Sequence, residues 1–207
     1  MGKSDLLKEL KPLYFPSPKA PVVVDVPKMN FLMIDGSGPP EGAEFQEALQ
    51  ALYGVCFTMK FMHRKGHPAR DTKVMALEGL WWMKDGSEFD MNRREEWMWS
   101  AMIMQPDFIT RKMIDAATEE LRKKKNPPAL VKLRLESFHE GRSIQIMHIG
   151  PYSAERPTIE KLLKFADEKG YRVRGRHHEI YLGDPRRTKP ERLKTVIRYP
   201  VEKKPTA

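Results

Sequence analysis

The feature that most constrains the fold is an approximate internal duplication. Residues 31–36 form an apolar, strand-like run that ends in glycine and leads through a proline-containing turn into an amphipathic helix, and residues 145–150 begin a second copy. Two strand-like segments follow the helix in each copy. The matching stretches are 81–85 with 180–184 and 104–106 with 198–200. This order predicts an α+β fold of duplicated strand–helix–strand–strand (SHS2-type) units with an antiparallel sheet.

The duplication also predicts the domain organisation. We expect a Pro- and Lys-rich arm over residues 1–28 and a single ligand-binding domain over residues 29–207. Within that domain, repeat one covers about 29–106, a linker helix and strand cover about 107–138, and repeat two covers about 142–201. Because binding pockets favour interfaces between structural units, we expect the ligand pocket between the two repeats.

Three local patterns give more specific predictions. The run at residues 22–24 predicts a short strand, and the prolines on both sides would confine it to a sheet edge. The Gly-Ser-Gly segment at 36–38 predicts a turn. After Pro106, Asp107 is the predicted N-cap of the linker helix.

Composition excludes several classes of protein. The formal net charge of +9 invites a nucleic-acid partner, but the basic residues are scattered and no DNA- or RNA-binding motif accompanies them. No apolar run approaches the ~20 residues that a membrane span requires. The one cysteine and the absence of a signal-peptide pattern fit a cytoplasmic protein. We therefore expect neither a specific nucleic acid nor a membrane as partner, and the oligomeric state stays open.

The strand-like segment 177–182 is the most informative for chemistry. Period-two alternation places His177, Glu179 and Tyr181 on one face of this strand. A carboxylate in so apolar a strand is costly unless it is solvated, paired or used. The segment alone leaves two interpretations open: a functional carboxylate, or an exposed one that pairs with an arginine.

Four tryptophans form a second candidate group. Trp81 and Trp82 lie on one predicted strand, and Trp97 and Trp99 on the next, which we expect to pair as a hairpin. Core packing explains at least two of them. The alternative is an aromatic wall that stacks on a flat ligand or holds a cation over a ring face.

Metal and cofactor patterns are weak. His177 and His178 are adjacent on a strand and point apart, and His139 and His148 lack an obvious third ligand. No phosphate loop or dinucleotide fingerprint is present. We expect neither a metal nor a cofactor.

Several segments together resemble the stand-alone GyrI-like small-molecule-binding proteins. They run in order from the arm almost to the C-terminus, at residues 24–31, 77–82, 105–108, 147–152 and 177–187. The resemblance implies the duplicated fold with a cavity between the repeats, and Glu179 stands at the position of the glutamate with which related drug sensors grip cationic lipophilic compounds. Certain stand-alone members are reported to hydrolyse the cyclopropane of DNA-alkylating natural products, which would make this chain a detoxifying enzyme.

These observations favour a pocket for flat aromatic or cationic lipophilic molecules. Its predicted ligand residues are the four tryptophans at 81, 82, 97 and 99 with Tyr152, Glu179 and Tyr181. For hydrolysis, burial would raise the pKa of Glu179 so that it serves as general base, while Tyr181 or Tyr152 donates to the developing oxyanion. The alternatives are a non-catalytic drug sensor or sequestering protein and, from another class, an interaction module that works through its basic surface.

Overall fold

A computed structural model of the chain describes residues 9–66 and 73–205, so the first eight residues of the predicted arm lie outside the described residues. The described helices are α1 (Lys11–Tyr14), α2 (Ala43–Gly66), α3 (Arg111–Lys124) and α4 (Arg156–Glu168). The described strands are β1 (Val22–Val26), β2 (Met29–Ser37), β3 (Leu77–Met83), β4 (Trp97–Gln105), β5 (Arg134–Phe138), β6 (Gly141–Ile149), β7 (Tyr171–Val173), β8 (His177–Tyr181) and β9 (Lys194–Lys203). Short 3₁₀ turns at Arg94–Glu96, Pro128–Lys132, Tyr152–Ala154 and Pro190–Arg192 connect several of them.

The first of two compact units covers residues 29–138. Its strands lie in the order β3-β4-β2-β5, and every neighbouring pair is antiparallel. Helix α2 packs on β2 and β4 and against α3. Leu52, Ile34 and Ile103 are fully buried in this core. The unit is therefore an antiparallel sheet with α2 packed on it and α3 packed against α2, so that apolar faces of strands and helices are buried together.

The second unit combines residues 9–28 with residues 139–205. Its strand order is β1-β6-β9-β8, and β7 also pairs with β9; all of these pairs are antiparallel. Helix α4 packs on β6 and β7, burying Ile159, Leu162 and Ala166. Strand β1 lies at the end of this order, between two prolines, as the pattern at residues 22–24 predicted.

The predicted mixed α+β class is confirmed. Helix α2 follows β2 and precedes β3 and β4, and α4 follows β6 and precedes β8 and β9, with the short β7 in between. Within the part of the chain that the structure describes, no helix has the length and apolar character to cross a bilayer.

Two local predictions were wrong. The predicted turn at 36–38 is partly strand, because β2 continues through Ser37 and Gly36 pairs with Trp99 of β4. A methyl group at Gly36 would meet the Trp99 ring at 2.3 Å, so the glycine makes room for that ring. Asp107 does not cap α3. A turn closed by the Ile109 amide and the Pro106 carbonyl delays the helix, and Thr110 caps it by accepting from the Met113 amide at 3.3 Å.

Candidate functional site

Strand β8 arranges three functional side chains on one face, as its alternation predicted. Nε2 of His177 lies 2.7 Å from Oε1 of Glu179, and the Tyr181 hydroxyl donates to Oε2 of Glu179 at 2.6 Å. The Glu179 side chain is 13% exposed. A carboxylate that is largely buried but receives a donor on each oxygen is favoured in its ionised form.

His177 links Glu179 to the neighbouring strand. Its Nδ1 lies 2.7 Å from the hydroxyl of Tyr199 on β9, and its ring is fully buried. Because a carboxylate can only accept, Nε2 carries the proton that bonds Glu179. Nδ1 and the Tyr199 hydroxyl form the second hydrogen bond of the ring. This relay fixes the orientation of the imidazole and, through it, of the Glu179 carboxylate.

A fourth group, Glu155, comes from the start of helix α4. Its side chain is buried with 1% of the residue exposed, and neither carboxyl oxygen has a hydrogen-bond donor. One ligand atom from each of Glu155, His177 and Glu179 lies within 4.8 Å of the others. We call Glu155, His177, Glu179 and Tyr181 the carboxyl cluster. All four belong to the second unit.

The two carboxyl groups of this cluster have opposite pKa shifts. Burial, and then the charge of the neighbouring Glu179 carboxylate, raise the pKa of Glu155 far above its usual range. Burial also favours a raised pKa for Glu179, but the hydrogen bonds from His177 and Tyr181 outweigh it and the pKa is lowered. The predicted rise in the pKa of Glu179 was therefore wrong, because hydrogen bonds from His177 and Tyr181 stabilise the ionised carboxylate.

The cluster also has the composition of a metal site. Among residues 9–66 and 73–205, Glu155, His177 and Glu179 are the one group of three that could hold a metal ion. One imidazole and two carboxylates are ligands that Zn²⁺ and other first-row ions accept. In the present geometry, hydrogen bonds engage both Glu179 oxygens and both His177 nitrogens, so a metal ion would displace the Nε2 proton.

Tyr152 joins the cluster through an aromatic contact. Its ring meets that of Tyr181 edge to face, with 5.7 Å between centroids and an interplanar angle of 84°. It precedes Glu155 in the 3₁₀ turn that leads into α4. The structure thus brings together the three residues predicted as catalytic, Tyr152, Glu179 and Tyr181.

The tryptophans lie in the first unit. Trp81 and Trp99 face each other across the β3–β4 pair, and both rings contact Phe45 of α2, with centroids 5.3 and 4.9 Å away. Trp81, Trp97 and Trp99 are buried, whereas Trp82 is partly exposed. Core packing accounts for the three buried rings. Contact of any of the four with a ligand stays a prediction.

A cleft in the first unit is too small to be the ligand site. It lies beside Cys56, Met75 and Phe108, and its volume is about 30 Å³. Ligand pockets usually enclose roughly 300–1,000 Å³, whereas this space holds about one water molecule. We take the carboxyl cluster as the candidate site, because two adjacent buried carboxyl groups there have pKa values shifted in opposite directions.

The opposite face of β8 holds a second buried polar network. His178 Nδ1 lies 3.1 Å from Glu140, and Arg198 Nη1 donates to the same carboxylate at 3.1 Å. Arg198 also donates to Oε1 of Gln145 at 2.9 Å, and Gln145 donates to the Pro12 carbonyl at 2.7 Å. The Glu140 pKa falls to about 2, because His178 and Arg198 more than offset burial. This network fastens the arm and is structural.

Sequence reasoning missed Glu155 and Glu140. A glutamate at a helix start is usually solvated and favoured by the helix dipole, so the pattern around Glu155 gave no signal of burial. Glu140 stands beside Gly141 in a tight turn, where exposed polar residues are typical. Only the packing of these segments on β8 and β9 shows that both carboxyl groups are buried.

Comparison with known proteins supports a small-molecule site. The family model described as GyrI-like small molecule binding domain matches residues 19–202. An uncharacterised conserved protein from Listeria innocua is 40% identical over 96% of this chain and 99% of its own, with a TM-score of 0.88.

A Listeria innocua protein described as a hydrolase is 39% identical over 97% of this chain and 100% of its own, with a TM-score of 0.86. The C-terminal domain of EcmrR, 14% identical over 88% of this chain and 97% of its own, has a TM-score of 0.57 and shares the fold alone. No curated protein matches the chain.

Proposed function

This chain belongs to the family of GyrI-like small molecule binding domains, and from that premise we propose that it binds flat aromatic or cationic lipophilic molecules at the carboxyl cluster. The single observation that carries the proposal is the state of Glu179. Its side chain is 13% exposed, and the hydrogen bonds from His177 and Tyr181 hold the carboxyl group in place and lower its pKa, which favours the ionised form. A fixed negative charge in a poorly solvated site attracts a cation much more strongly than the same charge in water.

Aromatic rings beside this charge supply the second part of the recognition. Tyr181 and Tyr152 meet edge to face next to Glu179, and both are partly exposed. Rings of this kind hold a planar ligand by stacking and a cation by its approach to the ring face. Trp82 is partly exposed, whereas the ligand contacts predicted for Trp81, Trp97 and Trp99 would require those buried rings to become accessible.

The test compares a cation with its neutral isostere. N-methylacridinium carries a permanent charge, while acridine has nearly the same shape and is neutral at pH 8. We expect Glu179→Gln to weaken binding of the cation by about tenfold or more, or roughly 1.4 kcal/mol, and to change acridine binding little. Calorimetry or quenching of tryptophan fluorescence gives both affinities.

The matched control is Glu160→Gln. Glu160 is exposed on α4, so this variant changes the net charge equally but leaves the cluster intact. It should bind both compounds as the wild type does. Equal affinity of wild type and Glu179→Gln for the cation would contradict the proposal.

A second candidate function is hydrolysis of cyclopropane-containing DNA-alkylating compounds, which would detoxify them. It is favoured by the 39% identity with a protein described as a hydrolase, and by two buried carboxyl groups of opposite protonation. Paired carboxyl groups whose pKa values diverge are the usual arrangement for acid–base catalysis.

The proposed step adds one water molecule across a carbon–carbon bond. The water oxygen bonds to a cyclopropane carbon while a ring carbon–carbon bond breaks, and the electron pair of the broken bond moves onto the conjugated carbonyl oxygen. Glu179 takes a proton from the water, and Tyr181 or Tyr152 gives its hydroxyl proton to the new oxyanion. The proton on Glu179 then passes to the tyrosine phenolate, so the product is the substrate plus one water molecule. The lowered pKa of Glu179 makes it a weaker base than a desolvated carboxylate without donors.

Mass spectrometry distinguishes the two functions. We expect the wild type and Glu160→Gln to convert such a compound to a product one water heavier, and Glu179→Gln to lose this activity. Quenched tryptophan fluorescence with the ring intact after long incubation would exclude hydrolysis of that compound and leave a sensor or sequestering protein.

A further inference from the structure

A short segment between β6 and α4 carries two members of the candidate site. Residues 151–158 include Tyr152, whose ring meets that of Tyr181, and Glu155 of the carboxyl cluster. Glu155 occupies the N-cap position of α4, but its side chain makes no capping hydrogen bond. The helix cap therefore does not hold this segment in place, and other contacts have to do so.

One row of side chains on the sheet supports the segment. His148 of β6 and Tyr181 of β8 are both paired with Thr195 of β9. Because directly paired residues of antiparallel strands project to the same face, these three side chains lie in a line across the sheet. Tyr181 meets the segment at one end of this line, and Thr195 lies beside the carboxyl group of Glu155. His148 meets the segment at the other end of the line.

His148 bonds the segment at two points. Its Nε2 lies 3.3 Å from the carbonyl oxygen of Pro151, and its Nδ1 lies 2.9 Å from the hydroxyl of Thr158. A carbonyl oxygen only accepts, so Nε2 carries the proton of the first bond. The Pro151 carbonyl also accepts from the Ala154 amide at 2.9 Å, which closes the 3₁₀ turn that contains Tyr152. His148 thus ties both this turn and the first turn of α4 to β6.

The surroundings of His148 leave its ring little freedom. The residue is 6% exposed, and a methyl group at Gly150 would lie 3.1 Å from Nε2. Gly150 has a φ of +143°, which other residues rarely adopt, so this position both bends the chain and makes room for the ring. Burial lowers the pKa of His148, which favours the neutral ring and lets Nδ1 accept from the Thr158 hydroxyl.

We propose that His148 is a positioning residue, which places the Tyr152 ring beside Tyr181 by fixing the turn between β6 and α4. The inference rests on the proposed function, because Tyr152 affects a ligand only if the ligand binds at the carboxyl cluster. Removal of the two hydrogen bonds of His148 misplaces an aromatic ring but takes no charge from the site. The loss of affinity should therefore be similar for a cation and its neutral isostere, whereas Glu179→Gln weakens binding of the cation alone.

NMR measures the position of the Tyr152 ring without a ligand. With labelled tyrosine, the ring protons of Tyr152 and Tyr181 should show a nuclear Overhauser effect in the wild type, because the ring centroids are 5.7 Å apart. His148→Leu keeps a side chain of similar length but makes neither hydrogen bond, so we expect this signal to weaken or disappear. His148→Gln can still donate to the Pro151 carbonyl and should retain the signal. A signal of wild-type strength in His148→Leu would overturn the proposal.

Binding of N-methylacridinium and acridine at pH 8 tests the consequence for ligands. We expect His148→Leu to weaken both compounds by a similar factor, about twofold to tenfold, as the loss of a neutral hydrogen bond predicts. Thr158→Val removes only the second bond and should have a smaller effect of the same kind. His148→Gln should bind both compounds more tightly than His148→Leu does. A loss confined to the cation would overturn the proposal, because His148 would then act through charge.

Ile34→Val is the control for a general loss of stability. It removes one buried methylene group from the core of the first unit and leaves residues 139–205 unchanged. Its melting temperature should fall, while the signal between the two rings and both affinities stay as in the wild type. Losses of affinity in Ile34→Val equal to those in His148→Leu would overturn the positioning role.

The remaining outcomes separate this inference from the proposed function. If His148→Leu does not fold, Thr158→Val decides, and an unchanged ring signal with unchanged affinities in that variant would overturn the inference. A wild type that binds neither compound counts against the proposed function, while the signal between the rings still shows whether His148 positions Tyr152.

Discussion

Nη2 of Arg198 donates a hydrogen bond to the Leu13 carbonyl at 2.7 Å, joining residues 185 positions apart. The guanidinium is buried, with 1% of its side chain exposed, and its other donors reach Glu140 and Gln145. A buried cation of this kind is stable only with its counter-charge and acceptors in place. The arm is thus bound to residues 139–205 of the second unit by specific hydrogen bonds in addition to the strand pairing of β1.

The first prediction concerns this buried ion pair. Glu140→Gln leaves the Arg198 charge uncompensated in the core, so we expect a loss of roughly 3–5 kcal/mol in the free energy of unfolding. Glu136→Gln, which breaks an exposed pair with Arg134, should cost less than about 1 kcal/mol. Urea denaturation measures both. Similar losses in the two variants would show that the buried network does not stabilise the fold.

The second prediction concerns acid stability. The pKa of Glu140 is about 2 in the folded protein and near its ordinary value of 4.5 in the unfolded chain. Its stabilising contribution is therefore present above pH 4.5 and is lost as the pH falls toward 2, a span of about 3 kcal/mol. Glu155, whose pKa is raised, has the opposite dependence and stabilises most below pH 4.5.

Unfolding by urea at pH 7, 4 and 3 tests this dependence. The wild type should lose more stability between pH 4 and 3 than Glu140→Gln, which is already destabilised at pH 7. If the free energy of unfolding fell equally with pH in the two proteins, the acid sensitivity would come from other carboxyl groups.

The third prediction concerns packing in the first unit. Gly36→Ala would place a methyl carbon 2.3 Å from the Trp99 ring, which is fully buried and cannot easily retreat. We expect this overpacking to cost about 1–3 kcal/mol. Gly183→Ala is the control, because the nearest atom there is 3.4 Å away. Thermal unfolding of both variants measures the loss of stability relative to the wild type. If Gly36→Ala were as stable as the wild type, β2 and β4 would separate readily at this point.

Much of the site could be predicted from period-two alternation. It placed His177, Glu179 and Tyr181 on one face, and the structure shows hydrogen bonds among those side chains. The pairing of the two tryptophan strands as a hairpin was also predicted, and the structure adds the register, with Trp81 opposite Trp99. Periodicity works here because it depends only on backbone geometry, which is local.

The protonation states could not be predicted in this way. The pKa direction at Glu179 depends on donors oriented by Tyr199 of another strand, and that of Glu155 on how α4 packs. The same limit applies to the cap of α3. Asp107 and Thr110 are both good capping residues, and a turn after Pro106 decides between them.

The second unit is discontinuous along the chain, and this affects the order in which it can form during synthesis. Strand β1 leaves the ribosome long before its partner β6, with the whole first unit made in between. At about 5–20 residues per second, β1 waits on the order of ten seconds. An apolar strand left unpaired for so long is exposed to pairing with other nascent chains. Pro21 and Pro27, which bracket β1, and Asp25 within it are the residues that discourage such pairing until the C-terminal strands emerge.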